Sequence, residues 1–115
     1  MLVWVGVALL GGAGAVARFT LDGAVSARAG DAFPWGTLAV NLSGSFLLGV
    51  LNGHDVGGDA LLLAGTGLLG SYTTFSTWML ESHRLGEDGE PGHMWLNIAL
   101  SLIAGLAAAA LGRAL

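Results

Sequence analysis

The run GSYTTFSTW, from Gly70 to Trp78, carries a hydroxyl on six of its nine residues: Ser71, Tyr72, Thr73, Thr74, Ser76 and Thr77. It sits inside a stretch, 60–80, that contains no charged residue. Glycine, paired threonines and serine are mediocre helix formers, glycine by about 1 kcal/mol against alanine. Clustered in the middle of an apolar segment, they predict an interruption of the helix. Such an interruption frees carbonyl oxygens on one side and N–H groups on the other. Carbonyls suit a small hard cation such as Na+, and N–H groups at a new helix start suit an anion. Phe75 and Trp78 stand at i, i+3 on one helical face. Aromatic edges are electropositive, so these rings either line an anion path or pack in the core.

Two further stripes of polar groups fall in apolar segments. Thr37, Asn41 and Ser45 follow at i, i+4, i+8, and Asn97, Ser101 and Gly105 repeat that spacing. Each stripe either joins neighbouring helices, at about 0.6 kcal/mol per hydrogen bond, or offers donors to a solute. An amide needs more partners than a hydroxyl, which makes Asn41 the stronger candidate for the second role. Arg18 lies at the end of the first apolar segment, where it either snorkels to the interface or attracts an anion at a vestibule.

These groups must be held by membrane helices. Of the 115 residues, 54% are hydrophobic, with 20 glycines in addition, and 10% are charged. A soluble domain carries about 25% charged residues, so this composition cannot coat a water-facing surface. A span needs about 20 apolar residues. Charge-free stretches at 1–17, 32–54, 60–80 and 93–112 support one domain, 1–115, with four spans at about 1–21, 33–53, 59–82 and 93–113. The first segment has no basic residue before Arg18, so it reads as a helix and not a cleaved signal peptide. The segments 22–31, 53–59 and 81–92 read as loops. Short loops imply antiparallel neighbours, and glycine-rich faces let helix backbones approach closely.

Several functions are excluded. The chain has no cysteine, hence no disulfide or thiolate metal site. Its net charge of −4 comes mainly from loop acids and gives no reason to expect a nucleic-acid partner. No Asp or Glu lies within the four charge-free stretches, whereas a proton-coupled transporter normally carries a membrane-embedded carboxylate. Hydroxyl and amide donors without fixed negative charge favour an anion or a neutral solute over a cation. Arginines are divided almost evenly between the two sides, with a slight bias to termini outside, so the chain could insert either way. A four-helix unit of this size is too small to enclose a pore alone, so an oligomer is expected.

Three motifs in order resemble one family over essentially the full length. GGAGAVARF, GTLAVNLSGSFLLG and GSYTTFSTW are similar to the first-, second- and third-helix signatures of the CrcB/Fluc fluoride channels. The resemblance implies an all-α integral membrane protein with four transmembrane helices and a broken third helix, paired in an antiparallel, dual-topology dimer with two pores. It implies passive fluoride export across the cell membrane, and no enzyme activity. It also implies a structural Na+ at the dimer centre, held by the backbone carbonyls of Gly70 and Thr73 from both subunits. Phe75 and Asn41 would line the fluoride path with Ser76, Thr77 and Trp78 beside them, Thr37 and Ser101 joining from the two stripes. Arg18 would stand at the vestibule. This chain differs from the family pattern at Ser71, usually glycine, at Trp78, usually a second phenylalanine, and at Asn97, often tyrosine. Some members pair unlike subunits, so the partner is a second copy or a paralogue in the opposite orientation. The rival readings are a small multidrug-type exporter, which needs an acid in its first span, and a non-transporting structural membrane subunit.

Overall fold

The computed structural model describes residues 2–115; Met1, where the first span was expected to begin, lies outside them. Helix α1 (Leu2–Ala29) is followed by α2 (Trp35–Gly53). A third rod begins as α3 (Gly58–Leu61), widens into a π-helical stretch (Leu62–Leu69) and closes as α4 (Gly70–Tyr72). After Thr73 and Thr74 come α5 (Phe75–Glu87) and α6 (Pro91–Ala114). Every described element is helical.

Two helices run further than the four-span reading expects. α1 continues through 22–29, read as loop from its charge, and extends about 42 Å at 1.5 Å per residue. Alanines at 24, 27 and 29 favour helix, and Ser26 Oγ donates to Asp22 Oδ1 one turn back at 3.2 Å. Gly30 ends the helix at φ +80°, a conformation open to glycine without strain. Likewise α5 extends to Glu87, with His83 Nε2 3.1 Å from Glu87 Oε1 across one turn. Charge marks where a helix leaves an apolar medium, not where it ends. Pro34 caps α2 and Pro91 opens α6, positions where its missing N–H costs nothing.

The apolar residues face outward. Leu2, Phe19 and Leu106 are among many large hydrophobic side chains left exposed, while the buried apolar core is Phe33, Leu38, Val40, Leu69 and Trp78. α1 and α6 are each long and apolar enough to cross a membrane. So much exposed hydrocarbon requires lipid or a partner around it.

Backbone contact replaces side-chain packing inside the bundle. α2 lies most extensively against α6. A Cβ at Gly49 would strike the main chain of Ala109, one at Gly53 the main chain of Arg113, and one at Gly112 the carbonyl of Phe46. Ser45 and Gly105, from the two stripes, face each other across this contact. On the other flank Gly14 of α1 meets the Leu68 carbonyl, and Gly67 meets the Val7 backbone. In lipid these close approaches supply the dispersion contact that exclusion from water cannot. Gly112→Val should therefore destabilise the fold by about 1–3 kcal/mol through overpacking. Gly12→Ala, where nothing lies within 4 Å, should leave the melting temperature unchanged or raise it. Thermal unfolding in detergent compares the two, and equal melting points would refute the importance of close packing at Gly112.

Candidate functional site

The π-helical stretch and the two residues after Tyr72 shape the site. Gly70 N donates to Gly65 O, five residues back. π-Helical turns are rare and concentrate at functional sites. Thr73 (φ −79°, ψ 157°) and Thr74 (φ −146°, ψ 122°) are extended, so the chain leaves one helix and enters the next. Thr74 caps α5: its Oγ1 accepts from Thr77 N at 3.2 Å. Thr74 was not among the residues expected at the site, although a threonine preceding a new helix start is a cap signal legible in sequence.

Asn41 of α2 clamps this junction. Its Nδ2 donates to Thr74 O at 3.0 Å, and its Oδ1 accepts from Thr74 N at 2.9 Å. Both main-chain groups of one residue are thereby satisfied by a single amide. One Nδ2 hydrogen remains for another partner. Asn41 is thus first a structural clamp, and what it can offer a solute is that second hydrogen.

The clamp has a consequence for the carbonyls. In a continuous helix Gly70 O would accept from Thr74 N, and Thr73 O from Thr77 N. Those two amides bond instead to Asn41 Oδ1 and Thr74 Oγ1. The Gly70 and Thr73 carbonyls thereby lose their helical donors, as do those of Ser71 and Tyr72, because Phe75 and Ser76 begin the new helix. Thr73 also turns its hydroxyl back, Oγ1 donating to Leu69 O at 3.0 Å.

Most of the expected site residues gather in two cavities. The larger, about 350 Å³, is lined by Asn41, Ser45, Gly70, Thr73, Thr74, Phe75, Trp78 and Ser101 among others. The smaller, about 100 Å³, is lined by Arg18, Phe19, Asp22, Thr37, Val40, Thr74 and Thr77. Thr74 lines both, so they adjoin at the clamp. Ser76 is exposed and lines neither. Thr37 is buried with its hydroxyl facing the Glu81 carboxyl, whereas the Nε of Arg18 and the Oγ of Ser101 are buried and unpaired. A buried unpaired polar atom costs about 1–3 kcal/mol, so these atoms are available to a bound solute or water.

The ring pair is asymmetric. Phe75 is 69% exposed and Trp78 only 9%. Their centroids are 5.5 Å apart with planes at 73°, an edge-to-face contact. The indole N–H does not face the path: Nε1 donates to Asn97 O at 3.3 Å. Sequence reasoning also passed over Glu81, which follows Trp78 by three residues on α5 and turns a carboxyl with a buried Oε1 toward Thr37. Its i, i+3 spacing from Trp78 was the available signal. Asn41→Leu should strip both partners from Thr74, at about 1–3 kcal/mol for each buried group left unpaired. Hydrogen exchange at the Thr74 amide should then accelerate; unchanged protection would show that something other than Asn41 holds the junction.

The family model described as "CrcB-like protein, Camphor Resistance (CrcB)" matches residues 5–113. A protein of Mycolicibacterium paratuberculosis named "Fluoride-specific ion channel FluC 2" is 57% identical over 113 residues, 98% of this chain and 93% of that one. A protein of the same name in Mycobacterium tuberculosis is 54% identical over 111 residues, covering 96% and 88% of the two chains. "Fluoride-specific ion channel FluC 1" of Symbiobacterium thermophilum is 47% identical over 118 residues, covering 97% and 95%. With the family model matched over nearly the whole length and relatives above half identity, the chain belongs to the CrcB family.

Proposed function

We propose that this protein is a fluoride-selective channel that lets fluoride leave the cell passively. The observation that carries the reading is the cavity at the Asn41–Thr74 clamp, where an amide, hydroxyls and an exposed aromatic ring converge on one opening. It stands in a chain more than half identical to proteins named fluoride-specific channels.

Fluoride is small and strongly hydrated. A path for it must replace water with donors while staying too narrow for larger anions. Here the second Asn41 hydrogen, the Ser101, Thr37 and Thr77 hydroxyls and the ring edges of Phe75 and Trp78 would each supply a weak substitute. Many weak sites permit both entry and exit, as conduction requires. Arg18 lines the smaller cavity together with Asp22, so it would attract an anion there against the opposing carboxylate. No bond is made or broken, so no enzymatic step is involved.

In the assembly, two copies, or this chain and a paralogue, would pair in opposite orientations in the cell membrane and bury part of the exposed apolar surface. The third rod would cross the membrane as a broken helix, an irregularity tolerated only when buried in protein or lining a cavity. A structural Na+ would be held by the Gly70 and Thr73 carbonyls of both subunits, two of the four carbonyls that the break frees of helical donors. Side-chain substitution hardly touches such a site, so diffraction with a heavier monovalent ion in place of Na+ is its direct test.

The flux experiment is efflux of fluoride from liposomes holding the purified protein, alone or with a paralogue. A gradient that persists would overturn the channel reading. Asn41→Asp places negative charge at the cavity and repels the Thr74 carbonyl, and should abolish flux. Phe75→Ile removes the exposed ring edge and should slow efflux at least about ten-fold, the effect of about 1.4 kcal/mol, while the dimer survives. Wild-type rates in either variant would remove that residue from the path.

A further inference from the structure

α5 and α6 are joined by a closed ring of hydrogen bonds that none of the three sequence motifs contains in full. Trp78 Nε1 donates to Asn97 O at 3.3 Å, Asn97 Nδ2 donates to Ser82 Oγ at 2.8 Å, and Ser82 Oγ donates to Trp78 O at 2.8 Å. Trp78, Ser82 and Asn97 are 9%, 3% and 1% exposed. We propose that Ser82 and Asn97 are positioning residues for the anion path, acting through Trp78. This role rests on the protein being a fluoride channel.

Phe75 is exposed at the larger cavity, and Trp78 is its aromatic neighbour, in edge-to-face contact. The attitude of the Phe75 edge therefore depends on where the indole sits. A phenyl ring at position 78 would be held by packing alone. The indole has a polar handle, and a buried Trp N–H is normally tied to a partner. Here the partner belongs to α6, and the Asn97 amide draws the same stretch of α6 onto Ser82, one turn further along α5. Bonding at two levels fixes both the separation and the rotation of α5 against α6. Ser101, one turn after Asn97, lines the same cavity as the two rings, so α6 carries its hydroxyl to the path in the register that the ring of bonds sets. A buried polar network satisfied in this way specifies a unique arrangement more than it adds stability.

The test combines flux with a spectroscopic signature of the indole. In a background with Trp4, Trp35 and Trp95 replaced by Phe, Trp78 gives the one indole N–H resonance in a 15N-labelled protein in micelles. Asn97→Leu removes the amide while Ser82 keeps its bond to Trp78 O, so that variant should fold; Ser82→Ala breaks the ring from the other side. Each should displace the indole resonance and slow fluoride efflux about five-fold, the factor corresponding to one lost hydrogen bond. Ser82→Thr retains the hydroxyl and should keep both values near those of the parent. Displaced resonances with parental flux would overturn the positioning role, and an unmoved resonance in both broken variants would show that the ring of bonds does not hold the indole. A parent that passes no fluoride, alone or with a paralogue, defeats the channel reading and this role together, whereas altered flux in all three variants marks a merely structural need for Ser82 and overturns the proposal.

Discussion

The side-chain amide of Asn41 holding both main-chain groups of Thr74 is the interaction on which the site depends. A helix that stops inside an apolar bundle exposes peptide groups with no water to receive them, at several kcal/mol for each unsatisfied group. One amide matches one N–H and one C=O at once. With those satisfied, Thr73 and Thr74 can stay extended, α5 can start afresh at Phe75, and the Gly70 and Thr73 carbonyls can do without their helical donors. Without a donor–acceptor pair at this point, the same residues would gain most by closing into a continuous helix.

The rest of the fold makes that arrangement reachable. Gly44 packs against the Thr73 and Tyr72 side chains, so α2 lies close enough for Asn41 to reach Thr74. Ser43, beside the clamp on α2, adds a hydrogen bond to the Tyr72 hydroxyl at 2.8 Å. α6 is seated on α2 through Gly49, Gly53 and Gly112, and it carries Ser101 to the cavity wall and Asn97 to Trp78 and Ser82. Small residues thus set the distances, and a few amides and hydroxyls set the register. The large apolar side chains mostly face outward and determine the solvent rather than the packing.

Polar residues in the spans divide into two kinds that look alike in sequence. Asn41, Thr74 and Ser82 spend side-chain capacity on two bonds or on capping the protein itself, and Asn97 spends one Nδ2 hydrogen on Ser82. Ser101 and Arg18 retain buried atoms without partners, and Thr37 faces only the Glu81 carboxyl. The second group is the one with capacity left for a solute. Trp78 spends its N–H on the Asn97 carbonyl, which leaves its ring edge at the cavity. Ser76 is exposed and lines neither cavity of the single chain.

Much of the fold is legible in the order of the amino acids. Composition requires an apolar surrounding, because a tenth of charged residues cannot solvate this surface. Poor helix formers at 70–77 announce the irregular backbone, and the i, i+4 stripes announce which helical faces carry donors. The helix ends at Ala29 and Glu87 are misplaced by charge, which reports the medium and not the backbone hydrogen bonding. Sequence by itself determined the chemistry available: hydroxyls, amides, rings and one arginine, with no acid in the charge-free stretches. Only tertiary structure decided which of those groups are already used. A partner for Asn41 thirty-three residues away, or for Trp78 nineteen away, depends on how closely glycine-faced helices approach, and no local pattern encodes that distance.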